Sequence, residues 1–367
     1  MRVLCSCVPG YGHFHPMVPL ARALQGGGHD VAFATAGRFC GRVTAAGFRA
    51  FPAGLNPGQL VERALQSFTG EEPWRFGAHM FAGIAAPAKL PGLLDVVDAW
   101  HPDLLVHEVT DFAGPPAAAH GGIPSVAHSL GPMFPLEFHR LAAELLPQER
   151  GALYLDICPP RLQSADITEL TASAAPLRPV TFDAVAGETL PRWVEELPPQ
   201  PTVYVTLGTL DNDAPGVIEA AVEGLRDEPL NLVVTVGPNR DPEELGSQPP
   251  NVHVERYVPQ SLLLPHCDAV VAHGGSGTML AALGHALPML LLPQGANQFW
   301  NAGRCADLGV AMRLLPREVD AVAVRNGVRA LLSRPELRQR AAEVAVEIAG
   351  MPAPEDVVPR LESLGKA

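Results

Sequence analysis

Apolar runs of strand length alternate along this chain with amphipathic helical patterns, and the alternation occurs twice. In the first half the runs are RVLCSCV (2–8), VAFAT (31–35) and DLLVHE (103–108), with a short extended piece near Phe48 to Phe51. In the second they are TVYVTLGT (202–209), LVVTV (232–236), VHVERY (252–257), AVVAHGG (269–275), PMLLLP (288–293) and AMRLL (311–315). After the first run Met17, Val18, Leu20, Ala21 and Leu24 share one helical face, which Gly26, Gly27 and Gly28 stop. Continuous apolar strands separated by helices imply parallel strands covered on both faces, because parallel neighbours need a crossover and the crossover is usually a helix. From Pro176 to Pro201 the sequence holds six prolines and no periodicity, which is a linker. A chain of 367 residues is also long for a single core. The expectation is an α/β protein of two parallel-sheet domains: residues 1–180, a linker over 181–201, residues 202–350, and a tail over 351–367 free to return to the first domain. Helices near Ala321 to Leu332 and Glu336 to Ala349 close the second domain.

Composition enters only to exclude partners. A formal charge of −13 opposes binding to nucleic acid or to an anionic membrane surface, both of which need a basic face. No uninterrupted apolar run reaches the roughly 20 residues of a membrane span, and the N-terminal run continues into a glycine turn rather than a cleavage site. Six cysteines follow neither metal-ligand nor disulfide-framework spacing, which points to a reducing cytoplasm.

The segment from His273 to Asn301, HGGSGTMLAALGHALPMLLLPQGANQFWN, carries the strongest chemical signal. Gly274, Gly275 and Gly277 allow a tight turn from a strand into a helix starting near Ser276. Ser276, Thr278 and the first free amides of that helix then form an anion seat, to which His273 adds a donor. By residue type alone, an ordinary strand-to-helix turn with a capping serine fits equally well. Open parallel sheets bind ligands beyond the carboxyl ends of their strands, where Gly208-Thr209, Tyr257 and His273 all fall.

Tyr257-Val258-Pro259-Gln260, then His273 through Thr278, then Pro293-Gln294 and Asn297-Gln298 resemble, in order and spacing, the donor-binding signature of nucleotide-sugar glycosyltransferases. Similarity to the bacterial enzymes that glycosylate antibiotics and other natural products extends to Gly12-His13, Met17 to Gly28 and Tyr204 to Thr209. The resemblance implies two Rossmann-like domains facing across a cleft, the GT-B arrangement, with the acceptor on the first and a nucleoside diphosphate sugar on the second. It implies that Tyr257 stacks on the base, that the Val258 backbone pairs with the base edge, and that Gln260 reaches the ribose. His273, Gly275, Ser276, Gly277 and Thr278 would take the diphosphate, with Gly208 and Thr209 beside them. Asn297 and Gln298 would contact sugar hydroxyls, although the family's usual acid at the first position is here an amide. Ala281 stands where enzymes using uridine donors commonly carry a glutamate for the ribose hydroxyls, so the implied donor is linked to thymidine diphosphate and carries a deoxysugar.

For chemistry, a hydroxyl acceptor needs a general base near working pH. His13 matches the family's catalytic histidine, with His15 as rival; taken alone, either is an ordinary structural histidine. Glu108 matches the carboxylate that orients the base, and Asp111 is the fallback. The implied reaction is an inverting, metal-independent single displacement by a hexosyltransferase-type enzyme, with the nucleotide sugar as co-substrate and no other cofactor. Asp211 and Asp213 have metal-bridging spacing but follow the Gly208-Thr209 turn, away from where metal-dependent transferases place such a pair. Residues 55 to 95 read as a loop-rich insertion whose Phe68, Trp74, Phe76, Met80 and Phe81 either pack or line an apolar acceptor cleft. Alternative readings are an epimerase or a lipid-acceptor transferase of the same architecture, or a non-catalytic partner subunit. Whether the chain pairs as a homodimer is open.

Overall fold

Strand-forming runs without polar alternation have to be covered on both faces, and the computed structural model covers them that way. It describes residues 1–70, 73–147, 151–171, 173–183, 188–208, 216–237 and 240–365. Thr209, Asp211 and Asp213 lie outside the described residues. Two compact units result, one of residues 1–158, 163–180 and 351–367, the other of 159–162 and 181–350.

The first unit carries seven parallel strands: β1 Arg2–Ser6, β2 Asp30–Thr35, β3 Arg49–Pro52, β4 Leu104–Glu108, β5 Ser125–His128, β6 Leu153–Asp156 and β7 Ala174–Pro176, in the order β3-β2-β1-β4-β5-β6-β7. β1 is flanked by β2 and β4, with Cys5 opposite Phe33 and Val106. The second unit has six: β8 Thr202–Thr206, β9 Asn231–Thr235, β10 Val252–Glu255, β11 Ala269–Ala272, β12 Met289–Leu291 and β13 Ala311–Arg313, in the order β10-β9-β8-β11-β12-β13. In each sheet the strand order runs outward to one edge, returns, and continues toward the other. The reversal falls between β1 and β4 in the first unit and between β8 and β11 in the second. Such a reversal sends successive helices to opposite faces and leaves a crevice beyond the strand ends.

Residues 55 to 95 correct the expectation of an irregular insertion. Pro57–Ser67 is helical, and a second helix runs from Pro73 to Trp100 through a π-helical segment at His79–Ala85. Over Trp74–Trp100 this helix is long and apolar enough to cross a membrane by length and composition. Its apolar side is accounted for by packing: Ala86, Leu93, Val96, Val97 and Trp100 close on Leu4, Ala32, Ala34 and Leu105 of the sheet, while Ala78 and Ala82 pack on Phe138 and Leu141. The tail also folds. Pro354–Gly365 is a helix packed on Val18–Gly26 of the first unit, with Glu362 3.0 Å from His29 and Arg360 bonded to Ser173.

Candidate active site

At the first reversal, β1 leads through residues 7–10 into a one-turn helix, Tyr11–Phe14, that presents His13. β4 ends on Glu108. The two meet, with His13 Nδ1 3.2 Å from Glu108 Oε1. Glu108 is 0% exposed, whereas the His13 side chain keeps 22%. A carboxylate that deep must be bonded all round, and it is: Oε1 also accepts from Val8 N–H and the Thr110 hydroxyl, and Oε2 accepts from Thr110 N–H at 2.7 Å. Burial alone would raise its pKa, but the His13 charge and the hydrogen bonds from His13 and Thr110 outweigh burial and hold the carboxyl below its ordinary value. An ionised Glu108 fixes the proton of His13 on Nδ1. Nε2 is then the open, basic nitrogen.

Asp111 does not share in this pair. Its Oδ2 is bonded by Ser6 Oγ at 2.6 Å and Lys89 Nζ at 2.5 Å. The rival base His15 packs its ring on Tyr11 and Phe14, and burial lowers its pKa to about 4. Of the aromatic residues in the 55–95 segment, Phe81 lies 5.7 Å from the His13 ring. Trp74 packs instead on Phe134 and Phe138, and Phe76 on Phe68. A small cavity next to Thr110 and Asp111 is lined by Val8, Leu55, Leu60 and Ala85, largely apolar walls at the carboxyl ends of the strands.

At the second reversal, β11 ends at Ala272, His273 follows directly, and the helix Ser276–Gly284 comes after it. The imidazole is wedged against two glycines. A Cβ on Gly208 would stand 2.7 Å from Cε1 of the ring, and one on Gly275 would run into Nε2. Gly208, at φ +80°, and Gly274, at φ +88°, adopt the left-handed backbone that glycine permits. Burial lowers the pKa of His273 to about 4, so it offers an anion a neutral donor and no cation. Ser276 Oγ receives the side-chain amides of Asn297, at 3.3 Å, and Asn301, at 3.1 Å. With both lone pairs occupied, its hydroxyl proton points elsewhere, as a phosphate ligand requires. Asn301, fully buried, spends its second N–H on the carbonyl of Gly274. Thr278 Oγ1 donates to Gln260 Oε1 at 3.1 Å, which leaves the Gln260 amide hydrogens for a ligand.

Tyr257 is 48% exposed, and its hydroxyl donates to the Asp183 carbonyl. Val258 is buried behind it. Gln298 Oε1 is taken by the backbone N–H groups of Gln294 and Gly295, so that side chain shapes the loop and has only its Nε2 left for a sugar. Ala281 is buried in its helix.

Thr110, Lys89 and Asn301 are the residues that sequence reasoning missed. A threonine two places after a strand-end acid, and the lone charge in the apolar run AAPAKLPGLL, were the available signals for the first two. Among the described residues no cluster of His, Cys, Asp and Glu could hold a metal ion.

Residues 22–208 match the N-terminal domain, and residues 224–364 the C-terminal domain, of the erythromycin biosynthesis protein CIII-like family. The chain belongs to that glycosyltransferase family. Its similarity to the L-demethylnoviosyl transferase of Streptomyces niveus is 36% identity over 88% of this chain and 87% of the relative. Among solved structures, the glycosyltransferase SnogD from Streptomyces nogalater superposes with a TM-score of 0.81 at 31% identity, covering 100% of this chain and 99% of its own. The spinosyn rhamnosyltransferase SpnG complexed with thymidine diphosphate does so with a TM-score of 0.84 at 27% identity, covering 99% and 100%. The family thus comprises natural-product glycosyltransferases, and its solved members share the GT-B fold of two parallel-sheet domains.

Proposed function

We propose that the protein transfers a deoxysugar from a thymidine diphosphate donor to a hydroxyl of a small natural-product aglycone, with inversion at the anomeric carbon and no metal. His13 Nε2 takes the proton of the acceptor hydroxyl as the oxygen attacks. Glu108 holds the Nδ1–H tautomer and stabilises the imidazolium that forms. The bond from the anomeric carbon to the diphosphate oxygen breaks, and the departing charge is met by neutral donors: His273, the Ser276 hydroxyl and the free backbone amides of Ser276, Gly277 and Thr278 at the start of the helix. Thymidine diphosphate as the donor nucleotide rests on the bound relative SpnG more than on Ala281, whose burial weakens an argument from side-chain contact. Asn297 Oδ1 and Gln298 Nε2 are the atoms we assign to the sugar. Five of the six cysteines are buried, which suits a reducing compartment, and we place the enzyme in the cytoplasm.

The single observation that carries this reading is the His13–Glu108 contact between an accessible imidazole and a buried, fully bonded carboxylate. Its test is His13→Ala, assayed by mass spectrometry with a panel of aglycones and thymidine or uridine diphosphate sugars. Turnover should fall at least about a hundredfold with thymidine diphosphate affinity unchanged. Near-normal turnover would assign the base elsewhere.

A further inference from the structure

We propose that Lys89 is a positioning residue for the base His13, acting as a three-way clamp under the loops that carry His13 and Glu108; this rests on the reading of His13 as the base. Lysine is rare in this chain. Of 26 Lys and Arg residues, only Lys89 and Lys366 are lysine. Lys89 is 3% exposed, in the long helix downstream of the π segment that carries Phe81.

An ammonium group has three donors set tetrahedrally and no acceptor, and all three are used. Nζ donates to the Cys7 carbonyl at 2.8 Å, the Ala34 carbonyl at 3.1 Å and Asp111 Oδ2 at 2.5 Å. These acceptors lie just beyond β1, within β2, and in the loop after β4, the strands that frame the dyad. Two of them lead to the dyad, and the third, the Ala34 carbonyl, also accepts the Cys7 N–H at 3.2 Å. Cys7 precedes Val8, whose N–H bonds Glu108, in the segment running to His13. Asp111 N–H donates to the Glu108 carbonyl at 2.9 Å and so closes the turn that contains Thr110. Ser6 Oγ ties the same Asp111 oxygen back to β1. The lysine stem passes over Gly54, at φ +93°, where a Cβ would press to 3.2 Å on its own Cβ.

Two general points favour geometry over stability as the reason for this pair. A buried ion pair gains little over well-packed apolar residues of similar volume. A planar guanidinium cannot aim three donors at acceptors outside one plane, which explains a lysine here in a chain otherwise rich in arginine.

Two variants test the clamp. Lys89→Arg keeps the charge and loses the tetrahedral geometry. Lys89→Met/Asp111→Asn removes both charges, so that no unpaired ion is buried, yet takes the ammonium donor away from the Cys7 and Ala34 carbonyls. Each is studied at temperatures where its circular dichroism is native. Long-range 1H–15N NMR of labelled protein reads the His13 tautomer, with the signal assigned by its loss in His13→Gln; turnover is read with whichever donor and aglycone pair the wild type accepts. Expected are a single Nδ1–H tautomer in the wild type, a mixed population in both variants, and turnover lower by about a hundredfold with thymidine diphosphate affinity unchanged, as a displacement near 1 Å produces. A retained Nδ1–H tautomer, or turnover within about threefold of wild type in either variant, overturns the inference. If the wild type transfers no sugar at all, the proposed function fails while the tautomer measurement still decides the clamp.

Discussion

Replacing Glu108 by glutamine changes one atom and no volume, so its effect can be worked from the contacts. The carboxylate accepts on both oxygens, from His13 and Val8 on one and from Thr110 N–H at 2.7 Å on the other. A glutamine has only one accepting oxygen. If its NH2 faces Thr110, two donors oppose each other; if it faces His13, the imidazole is driven to the tautomer with Nε2 protonated and loses its base. At 3.2 Å and an effective dielectric near 20, a full imidazolium–carboxylate pair is worth about 5 kcal/mol, an upper bound. A charge-assisted hydrogen bond counted net of solvent is worth about 1.5–3 kcal/mol. His13 keeps some contact with water, which screens the pair, so the loss should fall between these figures, at about a hundredfold to a thousandfold in kcat. Glu108 acts only through His13, so His13→Ala sets the ceiling. Glu108→Gln/His13→Ala should be no slower than His13→Ala alone. Steady-state kinetics at saturating donor and acceptor measures this, with calorimetry confirming unchanged thymidine diphosphate affinity. Multiplicative losses in the double variant, or Glu108→Gln within about threefold of wild type, would refute the dyad.

Other outcomes follow from the same contacts. Asn301→Leu strips Ser276 Oγ and the Gly274 carbonyl of their shared partner; it should weaken thymidine diphosphate about tenfold and cost about 1–3 kcal/mol of stability, read by calorimetry and urea unfolding. Phe81→Ala should raise the acceptor KM several-fold and leave nucleotide affinity alone, as initial rates with each substrate varied would show. On acidification, His15, His128, His139 and His273, whose folded pKa values are lowered from 6.5 to about 4 by burial, each resist protonation only while folded. Their stabilisation is complete above about pH 6.5 and is lost progressively toward pH 4, at most about 3 kcal/mol each. Asp156, raised from 3.8 to about 6, works the opposite way: its stabilisation is full below pH 3.8 and is lost as pH rises through 6. Four groups outweigh one, so the urea midpoint should drop between pH 7 and pH 4.5.

Buried parallel strands announce themselves because nothing polar interrupts them, which is why β1, β2, β4 and most of the second sheet could be read directly. The long helix through residue 89 could not. Glycines and prolines such as Gly77, Gly83, Pro87 and Pro91 ordinarily weaken or break a helix, yet the chain absorbs them with a π segment and packing on both sides. Pro354 and Pro359 disguised the last helix in the same way. At the site, Glu108 and His273 lie at strand ends that the sequence shows, whereas His13 was singled out by the resemblance to glycosyltransferases, since taken alone it reads as an ordinary structural histidine. Lys89 and Asn301 were not legible, since their significance lies in acceptors 82 and 27 positions away. Gln298 was read with Asn297 as a contact to sugar hydroxyls, but its oxygen is spent on the loop backbone.

The helix Pro354–Gly365 has a consequence for biosynthesis. Val357, Val358 and Leu361 are buried on the unit that begins with Met1. During translation, residues 181–350 can fold as soon as they emerge, whereas the opening half must wait for residues 354–365 before its surface is sealed. A premature stop near residue 350 would therefore injure the amino-terminal half, the one assigned to the base, and spare the nucleotide seat.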